Sequence, residues 1–66
     1  MGDPLLPEEL ADELRKNKQA ADIYQQMPPS HQRQYALWVD EAKTPKTRIK
    51  RAHKSIAMIL AWGKNL

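Results

Sequence analysis

Residues 30–62 read SHQRQYALWVDEAKTPKTRIKRAHKSIAMILAW, and the periodicity of this stretch decides the fold. Ser30 is placed to cap a helix running from His31 to about Lys43. At about 100° per residue, Tyr35, Trp38, Val39 and Ala42 gather on one side with His31. Arg33, Leu37, Asp40 and Glu41 fall on the other, which leaves Leu37 as an apolar residue facing outward. Lys43, Thr44 and Pro45 then form a minimal joint, with Thr44 as cap and Pro45 in the first turn of a second helix. On that helix Ile49, Ala52, His53, Ile56, Ile59 and Leu60 line one face, and Thr47, Arg51, Lys54 and Met58 the other. The expected central pair therefore has Tyr35, Trp38 and Val39 meeting Ile49, Ile56 and Leu60.

Upstream, Pro7 suits the first position of a helix and Glu8 and Glu9 suit its dipole, with Leu6, Leu10, Ala11 and Leu14 on one face and an end near Lys16. Asn17 is the expected cap of the next helix, Lys18 to Gln26, whose stripe is Ala20, Ile23, Tyr24 and Met27. Pro28 and Pro29 stop it, and Gly63 is the expected C-terminal cap of the last helix. The fold class is all-α: a compact four-helix orthogonal array, two short N-terminal helices closing over two longer C-terminal ones. One domain is expected over 5–63, with frayed termini at 1–4 and 64–66.

Sixty-six residues without cysteine allow neither a disulfide nor a thiolate zinc site, and a chain of this size buries only about 60% of its unfolded surface. Stability must come from caps and helix packing. No signal-peptide pattern opens the sequence and no apolar run approaches the ~18 residues of a membrane span, so a cytoplasmic, bacterial-type monomer without membrane insertion is expected. The net charge of +3 is unevenly spread: residues 1–22 hold six acids and three bases, residues 23–66 two acids and eight bases.

Three groups of residues are candidates for function. Lys43, Lys46, Arg48, Lys50, Arg51 and Lys54 could contact an anion or a nucleic acid along the last helix; the plainer expectation is a tight, capped junction in which Arg48 or Arg51 pairs with Asp40 or Glu41. Leu37, Met58 and Trp62 fall outside the expected buried stripes and are candidate protein contacts, although Trp62 could instead fold over the end of the first helix. His31 and His53 are too few for a metal site, and no nucleophile–histidine–acid set is arranged by local spacing. No cofactor and no catalytic activity are expected.

The compound pattern Leu6-Pro7-Glu8-Glu9-Leu10, Ala20, Tyr24, Met27, Pro29-Ser30-His31, Tyr35, Trp38-Val39, Glu41-Ala42-Lys43, Pro45, Thr47-Arg48 and Arg51 resembles the YdeI/OmpD-associated (OmdA) bacteriocin-protection domain family over about residues 5 to 60. The resemblance implies a link to bacteriocin protection and envelope stress, and a helical unit that follows a larger upstream domain in the family. It implies no catalytic residues. The sequence departs from the family pattern at Lys18, Leu37 and Lys46. The expected role is a non-catalytic interaction module, with a protein partner or a missing upstream domain as occupant; the alternative is nucleic-acid or polyanion binding through the basic face.

Overall fold

The computed structural model describes residues 6–64, so the expectation of frayed ends at 1–4 and 65–66 lies outside the described residues. Four helices follow one another: α1 (Glu8–Lys16), α2 (Lys18–Gln26), α3 (Pro29–Asp40) and α4 (Pro45–Gly63). Pro7 is extended and its carbonyl accepts from the Ala11 N–H at 2.9 Å, while Glu8 and Glu9 occupy the first turn of α1 and Arg15 and Lys16 its last. These charges complement the helix dipole at both ends. Asn17 then serves two helices. Its N–H closes α1 on the Leu14 carbonyl (3.2 Å), and its Oδ1 accepts from the Ala20 N–H of α2 (3.1 Å).

α3 differs from its sequence reading at both ends. Pro28, extended, is the residue before the helix and Pro29 its first residue; no side chain caps it, and Ser30 sits inside the first turn rather than at the cap. A proline there removes one N–H that would otherwise want a partner, which lessens the need for a serine cap. The helix stops at Asp40 instead of Lys43, with the Ala42 N–H tightening onto Val39 (3.2 Å). Thr44 caps α4 as expected, Oγ1 accepting from the Thr47 N–H at 3.2 Å, and Pro45 opens the helix.

α4 is the hub. It packs against all three other helices and most extensively against α1, which corrects the expectation of an α3–α4 pair with the N-terminal helices laid over it. The reason lies in small residues: Ala20, Ala36 and Ala52 have no exposed surface and let helices approach closely, around fully buried Leu10, Val39 and Ile59. The Cα radius of gyration, 10.9 Å, equals the value of about 11 Å for a compact chain of this length.

The inner face of α4 is rotated from its sequence reading. Ile49 is 55% exposed and His53 lies in solvent, whereas Ser55 is completely buried. The Ser55 hydroxyl donates to the Arg51 carbonyl one turn back at 2.8 Å, so its burial leaves no polar group unsatisfied. The buried stripe is Ala52, Ser55, Ile56 and Ile59. Gly63 ends the helix without a left-handed conformation. Its value is space: a β-carbon there would run into the side chain of Ile23 on α2. The Lys64 N–H closes the helix on the carbonyls of Leu60 (3.3 Å) and Ala61 (3.2 Å).

Candidate functional site

The first functional question is where the six basic candidates go. Arg48 begins a turn before the buried stripe of α4 and reaches across to α1, where Nε and Nη2 meet the two carboxylate oxygens of Glu9 at 3.1 and 3.2 Å. Its Nη1 donates to the Asp40 carbonyl at 2.9 Å, and Nη2 lies 3.5 Å from the Asp40 carboxylate. Arg51 donates to the Trp38 carbonyl at 2.8 Å and holds its guanidinium 5.3 Å from the centre of the indole ring. Both arginines thus cap the C-terminal carbonyls of α3 with positive charge, the arrangement favoured by the helix dipole. The junction anticipates Arg48 with Asp40; Glu9, 39 positions away in sequence, is the partner that local spacing could not reveal. Lys43, Lys46, Lys50 and Lys54 remain exposed.

The electrostatics follow from these contacts. Hydrogen bonds from Arg48 hold the Glu9 carboxyl below its ordinary range, and Glu9 in turn raises Arg48. Glu13 is also lowered, first by its hydrogen bond with His53 and then by Lys16; His53 Nδ1 is 3.1 Å and Lys16 Nζ 3.2 Å from its oxygens. Both carboxylates are therefore weaker bases than ordinary ones. Among the described residues no group of three His, Asp or Glu side chains is arranged to hold a metal ion.

The second question is which surface is open. A groove of about 980 Å³ runs along the outer side of α4, walled by the end of α1 and by Trp38 of α3. Ile56, Ala57 and Leu60 contribute to its apolar floor, and Lys16, Lys50 and Lys54 to its rim. A smaller depression under Ile49 and Lys46 adjoins it, sharing Glu13, Lys50 and His53. Trp38, expected in the core, is half-buried and lines this groove. It cannot reach the centre because Ala36 and Val39 face inward instead, while Arg51 covers its ring. Tyr35 is half-buried against the core.

Of the three apolar candidates, Leu37 is 40% and Met58 36% exposed. Trp62 is half-buried, packs on the core and places its ring 6.2 Å from that of His31, so it meets the start of α3. His31 itself is exposed and outside the seam expected of it. Glu13, Lys16 and Ala57 are groove residues not singled out from sequence, and Leu60, expected in the central pair, lines the groove as well.

The sequence model of the family described as "Bacteriocin-protection, YdeI or OmpD-Associated" (OmdA) matches residues 3–61. No curated protein and no solved structure matches the chain.

Proposed function

From the premise that the chain belongs to the OmdA family of bacteriocin-protection, YdeI or OmpD-associated proteins, we propose that it acts as a non-catalytic protein-interaction module in the bacterial cytoplasm. The observation that carries this reading is the groove along α4. It is open to solvent, chiefly apolar in its lining, and large for so small a protein. A concave depression in which apolar side chains gather with charged groups around them is the ordinary form of a binding surface. The two buttressed carboxylates argue in the same direction: lowered acids are poor proton donors at neutral pH, and each is engaged in holding helices together.

The test is affinity capture from a bacterial extract with the native chain and with Ala57→Arg, a groove-filling change at an exposed helical position. The expected result is a protein retained by the native chain and lost by the variant. If no protein is specifically retained through any face, the interaction reading fails.

The alternative, a polyanion-binding module, draws support from exposed Lys43, Lys46, Lys50 and Lys54. It is weakened by the engagement of Arg48 and Arg51, the best phosphate-binding groups, within the fold. Titration with duplex and single-stranded oligonucleotides at low ionic strength decides it, since such binding falls steeply with salt.

A further inference from the structure

The charge and shape of the groove narrow the chemistry of the partner. Its rim carries Lys16, Lys50 and Lys54, extended by Lys46 at the adjoining depression. Glu13 is the acid among the lining residues, and it is already engaged by Lys16 at 3.2 Å and by a hydrogen bond with His53 at 3.1 Å. An occupant must therefore present apolar groups to Ala57 and Leu60 and negative charge to the lysines on either side. From Lys46 to Leu60 the two depressions follow α4 for about 21 Å, the length of roughly 14 helical residues. An amphipathic helix laid alongside α4 satisfies shape and charge together. A nucleic acid satisfies the rim but not the floor, and the indole face on which a base would stack is already covered by Arg51.

A second copy of this chain is a poor occupant. Its acidic amphipathic segment is α1, whose Leu10 and Leu14 are already buried in the core.

We propose that the groove between the end of α1, Trp38 and the outer side of α4 receives an acidic amphipathic helix from a partner protein, with its apolar stripe on Ala57 and Leu60 and its carboxylates on Lys50 and Lys54. The proposal rests on the interaction-module reading and adds the chemical class of the partner.

The experiment uses the whole chain and a synthetic peptide of about 14 residues, leucine on one helical stripe and glutamate elsewhere, with a second peptide carrying lysine for glutamate. Amide shift mapping and calorimetry are read together. The expected result is saturable shifts at the Trp38 indole and at Lys50, Ala57 and Leu60 with the glutamate peptide alone. Affinity should weaken with added salt, and by about tenfold or more in the doubly reversed Lys50→Glu, Lys54→Glu variant. Ala57→Arg, which leaves the rim intact, should also reduce binding, while Lys50→Arg retains it. Circular dichroism confirms that each variant folds.

The proposal is overturned if the lysine peptide binds equally, if an oligonucleotide shifts the same residues more tightly than the peptide, or if those shifts arise from self-association. Absence of peptide-induced shifts in the groove also overturns it. If the peptide binds instead over Leu37, the groove assignment falls while the module reading stands. The module reading fails separately, when capture from extract retains no protein.

Discussion

The chain makes two abrupt turns that deliver helices onto α4, and they are stabilised by the same device in opposite electrical forms. At the α2–α3 turn, Gln32 reaches back so that its Nε2 donates to the carbonyls of Tyr24 (2.6 Å) and Met27 (3.2 Å), and the Tyr24 hydroxyl donates to the Gln32 carbonyl (3.0 Å). At the α3–α4 turn, Arg48 and Arg51 take the carbonyls of Asp40 and Trp38. In both, a long side chain from the following helix donates to carbonyls at the end of the preceding one; at the first turn the Tyr24 carbonyl also accepts the Met27 N–H at 3.2 Å. The first turn is neutral and the second cationic. Only the second therefore recruits a carboxylate from a distant helix, Glu9, and only it is tied to pH and salt. The comparison teaches that a charged capping group also engages a counter-charge across the fold, adding a link between α4 and α1 where their apolar faces already pack.

The strongest way to break the comparison is to remove the surface on which both turns depend. Ile59→Ala, at a fully buried position of α4, should cost about 2 to 5 kcal/mol. In so small a protein, urea titration should show the variant partly unfolded before denaturant is added. Next comes the neutral turn: Gln32→Ala removes the side-chain donor to two partly buried carbonyls and should cost about 0.5 to 1.5 kcal/mol, with no change in the salt dependence of the melting temperature. A strong salt dependence appearing or vanishing there would contradict the neutral assignment. The cap of α4 is a lever of similar size; Thr44→Ala should lower stability by about 1 kcal/mol, measured by thermal melting against the native chain.

The subtlest effect sharpens the cationic turn. Glu9 is lowered in the folded state relative to its ordinary value near 4.5, so it adds stability above that pH and loses it as pH falls below it toward the folded-state value. The same sign holds for Glu13. Melting temperature should therefore fall on acidification below about pH 4.5. Glu9→Gln should flatten part of that slope and Glu13→Gln a further part, while Gln32→Ala leaves it intact. An acid slope unchanged by Glu9→Gln would show that the Arg48 pair contributes nothing in solution.

What was legible in the sequence was local. The bounds of α2, its cap at Asn17, the start of α4 at Thr44 and Pro45, and the stop at Pro28-Pro29 all rest on groups that act within a few residues of themselves. The start of α3 was missed because a serine cap and a proline first residue compete for the same turn. The rotation of α4 was missed because periodicity weighs apolar character and cannot see that Ser55 satisfies itself within the helix. Likewise, Ile49 and His53 share an apolar-looking stripe with buried Ala52, Ile56 and Ile59 but sit at its exposed edge. Of the candidate site, the four exposed lysines and Leu37 and Met58 lie on the outside, as the helical wheel implied. The groove was not visible, because it is made by three helices at once.

By itself, the order of residues determined four helices, the caps at Asn17 and Thr44, the absence of any cysteine-based reinforcement and the separation of acidic and basic halves, since each depends on composition or short-range chemistry. Only tertiary structure decided that α4 is the hub, that Arg48 spends its charge on Glu9, and that Trp38 walls a groove instead of filling the core. Those outcomes depend on which faces meet across tens of residues. Fully buried alanines and a glycine at Ile23, unremarkable in a linear reading, allowed the close approaches that settled them.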